Sequence, residues 1–101
     1  QIIILTLTDR NKKFANELKK QLEENNLRVE LDDRPETISK KVRDAQVSKI
    51  PITITIGDKE QKNKTLAIRT LDGKVKFNIK INKFIKDIFK NIENRGLKYN
   101  P

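Results

Sequence analysis

Residues 27–60, LRVELDDRPETISKKVRDAQVSKIPITITIGDKE, change their hydrophobic period twice, and those changes decide the fold. Leu27, Val29 and Leu31 alternate with Arg28 and Glu30, the period of a strand with one face in water. Asp32–Glu36 then reads as a loop, where Pro35 is tolerated, as it would be in a first helical turn. Ile38, Val42 and Ala45 recur at helical spacing, and Pro51 opens a third strand, Ile52–Ile56. In that strand Ile alternates with Thr, which predicts a sheet face less completely covered on the Thr side. Strand, helix and strand in succession imply a crossover connection and parallel strands.

Upstream, Ile2–Leu7 is an almost unbroken apolar run, as expected of a central strand buried on both faces. Thr8 is placed to cap the helix that follows, with Asp9 in its first turn. Phe14, Leu18 and Leu22 form that helix's apolar stripe, which ends near Asn25–Asn26. Downstream, Gly57–Lys64 reads as a polar loop. Thr65–Leu71 and Lys74–Ile79 flank Asp72–Gly73, a dipeptide suited to a two-residue type I′ hairpin. Such a turn pairs Arg69 with Lys76 and Ile68 with Phe77. Directly opposed like charges cost roughly 0.2–1 kcal/mol, so this pair either splays into water or forms a basic face for phosphate or a base. Ile81, Phe84, Ile85, Ile88, Phe89 and Ile92 complete an amphipathic helix that Gly96 can end. The expected fold is α/β: a three-layer α/β/α domain over residues 1–96, with a tail at 97–101. Its five-stranded mixed sheet has order 2-1-3-4-5, with only strand four antiparallel, and three helices.

The 101 residues carry 23 Lys+Arg against 14 Asp+Glu, a net charge of +9 that points to a polyanionic partner. Residues 1–33 hold six basic and seven acidic side chains, residues 34–101 seventeen and seven, so the excess begins at Arg34. Histidine, cysteine, methionine and tryptophan are absent, which excludes disulfides, thiolate metal sites and His-dependent triads. The lack of cysteine fits a reducing compartment, and no apolar run approaches the ~18–20 residues of a membrane span. Gln1 leads straight into a strand without an initiator Met, most simply a piece of a longer protein.

The order Val29, Asp32–Asp33–Arg34, Glu36, Ile38, Lys41, Arg43–Asp44–Ala45, Ile50–Pro51, Gly57–Asp58–Lys59–Glu60, Arg69 and Asp72–Gly73 resembles the anticodon-binding domain of threonyl-tRNA synthetase, a class II aminoacyl-tRNA synthetase. The resemblance covers roughly residues 2–95. It implies a domain that reads the anticodon loop of threonine tRNA and performs no chemistry, beside a catalytic domain absent from this chain. ATP, Mg and Zn are implied for that parent, none of them for this domain. The resemblance also implies a cytoplasmic setting with no membrane contact, a monomeric isolated domain and a homodimeric parent. The nucleic-acid-binding residues it suggests are Arg34, Lys41, Lys59, Glu60, Arg69 and Lys76. Among them Glu60 would accept from guanine N1–H and N2–H₂, and Arg69 would donate to acceptor edges.

Where the family carries an Asn, a Gly, an aromatic and a capping Ser, this chain has Pro35, Ser39, Lys40 and Lys80. The amide at 35 and the stacking ring at 40 are thereby lost, while Lys40 adds charge for phosphate. Asp32–Asp33 reads as a turn and helix-capping pair, since no His or Cys completes a ligand set. Three other readings remain open: a proline, histidine or glycine synthetase domain, a free-standing RNA-binding accessory module, and a flavodoxin-like enzyme or receiver domain. The last lacks a Gly-rich phosphate loop and a full catalytic constellation.

Overall fold

Strand β1 (Ile2–Thr6) is an interior strand of the sheet, and all five of its residues are buried. The computed structural model describes residues 2–71 and 73–93, with side chains as far as Ile88. Gln1, Asp72, the side chains of Phe89 and Ile92, Gly96 and the tail at 97–101 lie outside the described residues. Ile2 and Ile4 enter the larger core with Ala15, Leu18, Leu22, Phe84 and Ile88. Ile3 and Leu5 enter a smaller one with Ala45, flanked by Ile38, Val42 and Ile50. Helices α1 (Lys12–Glu24) and α4 (Ile81–Glu93) therefore cover one face, and α2 (Ile38–Val47) covers the other. The three expected layers are present.

With β2 (Val29–Asp32), β3 (Ile52–Ile56), β4 (Thr65–Thr70) and β5 (Val75–Lys80), the order is β2-β1-β3-β4-β5. β1 is parallel to β2 and β3, while β4 is antiparallel to β3 and β5, so β4 alone runs against the rest. The order, the directions and the three long helices agree with the sequence reading. Among the described residues no helix is long and apolar enough to cross a membrane.

Three local expectations are corrected. First, the expected loop after β3 contains a fourth helix, α3 (Asp58–Asn63), closed by Lys64 at φ 55°. It has no buried residue and hence no apolar period to betray it, but its first turn carries Asp58 and Glu60 where the helix dipole favours anions. Second, a single 3-10 turn, Asp9–Asn11, precedes α1. There the capping oxygen belongs to Asn11, whose Oδ1 accepts from Thr8 N and Thr8 Oγ1, both at 3.1 Å.

Third, the hairpin is not a two-residue turn. Gly73 N donates to Thr70 O, and Thr70 N donates to Lys74 O, so that Thr70 rather than Leu71 faces Lys74, with Gly73 at φ 86°. Leu66 pairs with Ile79 as expected, but Ile68 pairs with Lys76 and Arg69 with Val75. One extra β5 residue is absorbed in a bulge opposite Ala67, where Asn78 sits at φ 58°. The predicted Arg69–Lys76 pair therefore does not form. Lys76 lies across from Ile68, on the opposite face from Arg69.

The end of β2 is tied to α2 by Arg34. Its Nε and Nη2 donate to the two oxygens of Asp32 at 2.8 Å each, and Nη2 also donates to Asp44 at 2.8 Å. Arg34's hydrogen bonds hold the Asp32 carboxyl below the usual carboxylate range, outweighing a burial effect that pushes the other way. The same contacts raise the Arg34 guanidinium further above its ordinary value. Thr37 caps α2 by accepting from Lys40 N at 3.2 Å.

Two outcomes follow. Asn78→Val puts a β-branched residue into left-handed backbone and should cost about 1–2 kcal/mol; Asn78→Gly adopts that conformation freely and should retain stability, both read by urea denaturation. Asp32 releases its proton more readily folded than unfolded. The stability it contributes is therefore complete above about pH 4, the ordinary Asp range, and is lost as pH falls through the lower folded value. Acid titration of folding should show this loss in the unaltered chain and a shallower one in Asp32→Asn.

Candidate nucleic-acid interface

Helix α2 packs on the β1 side of its face and leaves Thr55, Ala67 and Arg69 of β3 and β4 facing an open cleft. The cleft encloses about 260 Å³ and is also lined by Leu7, Ile38, Glu60, Val75 and Phe77. It runs over the sheet face from Arg69, which pairs with Thr53 near the start of β3, to Leu7 and Glu60, which follow the C-terminal ends of β1 and β3, where open α/β sheets commonly place ligands. A shallower hollow sharing Ile38, Thr55 and Arg69 extends along α2 to Ser39 and Val42. Beyond it, Thr37, Ser39, Lys40, Arg43 and Asp44 line a further groove. The Thr face foreseen for β3 is thus only partly open, with Thr55 on the cleft and Thr53 buried.

Glu60 is held by its own helix. Its Oε1 accepts from Gly57 N at 2.8 Å, closing the α3 N-terminus, while Oε2 has no partner among the described residues. A Cβ on Gly57 would stand 3.0 Å from Leu7 Cδ2 and 3.1 Å from Glu60 Oε1. Glycine is favoured here by close approach, since a Cβ would make Leu7 or the Glu60 carboxylate give by a few tenths of an ångström, and not by the backbone, whose φ of −118° any residue adopts. Arg69 is half-buried on β4, and its Nε has no hydrogen-bond partner among the described residues. A carboxylate and a guanidinium, both with unused hydrogen-bonding capacity, thus border one cleft.

Asn11 is the polar residue that sequence reasoning missed. It is fully buried, and its Nδ2 donates to Asp58 Oδ1 at 3.1 Å and Gln61 Oε1 at 2.9 Å. Arg10 adds a 2.6 Å ion pair to Asp58. These bonds fasten α3, and with it Glu60, to the turn after β1. Only the burial of a short amide marks Asn11, and a single sequence does not display burial.

The remaining sequence candidates are dispersed. Lys59 is exposed on α3, and Lys40 and Arg43 are exposed on α2. Arg34 is already engaged by Asp32 and Asp44. Lys41, suggested by resemblance as a nucleic-acid contact, is 2% exposed, and its Nζ donates to Thr6 O at 2.8 Å. The Lys41 ammonium therefore closes the end of β1 rather than facing a partner, because α2 lies directly over that strand. Lys76 is exposed but stands on the far side of the sheet from the cleft. Among the described residues no group of three or more His, Cys, Asp or Glu side chains is arranged to hold a metal ion.

The family described as Anticodon binding domain matches residues 1–91. The threonine–tRNA ligase of Desulfatibacillum aliphaticivorans is 50% identical over 96 residues, covering 95% of this chain and 15% of that enzyme. The threonine–tRNA ligase of Clostridioides difficile strain 630 is 41% identical over 95 residues, covering 94% and 15%. This chain therefore spans about 15% of the length of these curated relatives. Among solved structures, the RNA binding domain of threonyl-tRNA synthetase from Cryptosporidium parvum Iowa II superposes with TM-score 0.81 at 20% identity, over 99% of this chain and 24% of that one. Prolyl-tRNA synthetase from Cryptosporidium parvum, complexed with L-proline and AMP, gives 0.82 at 22%, over 93% and 21%. These two superpositions establish the fold and do not separate threonine from proline; the relatives at 50% and 41% identity are both threonine–tRNA ligases. The chain belongs to the anticodon binding domain family, in the form carried by threonine–tRNA ligases.

Proposed function

We propose that this chain reads the anticodon of threonine tRNA on behalf of a threonine–tRNA ligase whose catalytic domain lies outside it. The observation that carries this reading is that Glu60, after β3, and Arg69, on the face of β4, border one cleft. Threonine anticodons share G in the middle position and U in the third. The unengaged Oε2 of Glu60 accepts from the guanine N1–H and N2–H₂ edge, and Arg69 donates to base acceptors. Lys40, Arg43 and Lys59, exposed on α2 and α3, attract the phosphates on either side. Arg34 acts from a position already neutralised by two carboxylates, and Lys76 adds long-range attraction from the other face. Lys41 serves stability. ATP, Mg and Zn belong to the catalytic domain of the parent, which works in cytoplasmic translation.

Binding of an anticodon stem–loop and of an anticodon-altered version, each across a salt series, tests the reading. Glu60→Ala and Arg69→Ala should each narrow the affinity ratio by roughly one to two powers of ten, the worth of a charged-group hydrogen bond at about 1.5–3 kcal/mol. An unchanged ratio for both variants sinks the base-reading assignment. The unaltered chain should lose affinity with salt at a log–log slope of about −0.7 per phosphate contacted; a flat titration removes the basic-surface argument. Including a proline anticodon stem–loop checks the amino-acid identity. Purified residues 1–101 should show no aminoacylation with ATP, threonine and tRNA.

Lys41→Met should lower folding stability by about 1.5–3 kcal/mol, since it strands Thr6 O without its charged donor. It should leave the salt slope unchanged. A reduced slope at full stability would instead return Lys41 to the RNA-contacting set.

A further inference from the structure

Phe77 is 63% exposed on β5, in a chain with only four Phe and one Tyr. Strict alternation along β5 would put Val75, Phe77 and Ile79 on the same face, yet Ile79 is buried in the core against α4 while Phe77 lines the cleft. The bulge at Asn78 makes this division. It returns Val75 to a position opposite Arg69 and sets the Phe77 ring on the same cleft as Glu60 and Arg69. Leu7, 46% exposed, provides another apolar wall. The cleft thus offers apolar side chains together with a carboxylate and a guanidinium.

A nucleobase has complementary chemistry: two apolar π faces and a rim of in-plane donors and acceptors. A purely apolar occupant, such as a second copy docking through this patch, would strip water from Glu60 Oε2 and Arg69 without returning hydrogen bonds. The net charge of +9 likewise disfavours self-association and favours a polyanion.

We propose that Phe77 is a stacking platform for an unpaired base of the anticodon loop, holding that base in plane with Glu60 and Arg69. The inference rests on the anticodon-reading function above and adds to it a residue that supplies affinity rather than identity. Stacking tolerates any base, so loss of the ring should weaken cognate and altered RNAs by the same factor, whereas loss of Glu60 or Arg69 changes their ratio.

The test uses Phe77→Leu and Phe77→Trp in the 101-residue chain with both anticodon stem–loops, circular dichroism confirming that each variant is folded. Phe77→Leu keeps apolar bulk but removes the π face. It should lower affinity about tenfold for both RNAs, with the salt slope unchanged. Phe77→Trp should bind at least as tightly as the unaltered chain. As the sole tryptophan, it should lose fluorescence along the same titration curve. Unaltered affinity in Phe77→Leu, or unquenched tryptophan at saturating RNA, overturns the platform while leaving base reading intact. Sedimentation showing a dimer that Phe77→Leu abolishes overturns it in favour of self-association. If the unaltered chain binds neither RNA, both the platform and the proposed function fall.

Discussion

A single buried amide fixes the geometry on which the cleft depends. Asn11 uses both lone-pair directions of its oxygen on Thr8 and both amide hydrogens on Asp58 and Gln61. All four of its hydrogen-bonding positions are filled at zero exposure. An apolar replacement would break all four bonds at once, and with Asp58 58% exposed its partners would turn to water, releasing α3 from the turn after β1. Because Asp58 and Gln61 belong to α3, the bond set locks a helix of six residues that buries no side chain of its own. Without it, neither helix propensity nor packing would hold so short an element. Glu60 inherits its position from that lock, and Gly57 carries the constraint onward by admitting Leu7 and the Glu60 carboxylate against bare backbone.

The basic surplus separates into two populations by what each cation touches. Lys41 and Arg34 are committed inside the domain, one to a strand-end carbonyl and the other to two carboxylates. Both tie α2 to the sheet, and so place Ile38 and the α2 hollow beside Arg69. Lys40, in an exposed 3.7 Å ion pair with Glu36, and Arg43 and Lys59 remain at the surface on the two helices that flank the cleft. A count of charges along the chain does not distinguish these populations; the direction of each helix face does.

The parts of the fold legible in the sequence were those set by long-range apolar patterning. The Ile2–Leu7 run located the central strand, the Ile38–Val42–Ala45 stripe located the crossover helix, and the Asp72–Gly73 turn located the reversal. What escaped were features set by single residues. Helix α3 has no apolar stripe to read. The hairpin register departs from the two-residue turn that Asp-Gly suggests because Thr70 faces Lys74, and although Asn enters left-handed backbone more readily than most residues, nothing else in VKFNIK locates the bulge at Asn78. That one-residue slip mattered more than its size, because a period of two sends every later side chain to the other face. It removed Lys76 from the cleft and brought Phe77 into it. Glu60 was legible through resemblance, whereas the hairpin register already pointed to Arg69 as part of a basic face, though with the wrong partner.

The bulge has a second consequence, for the integrity of the sheet rather than for its cleft. With β5 outermost, its free backbone edge is open to strand addition from another molecule. A regular edge of six residues carrying Val, Phe and Ile would be a template for aggregation. Asn78 interrupts the row of evenly spaced donors and acceptors, and Lys76 and Lys80 stand exposed along it. An incoming strand would meet a broken register and like-charged flanks. The irregularity thus blunts the sheet edge as a template for strand addition at the same place where it exposes an aromatic ring.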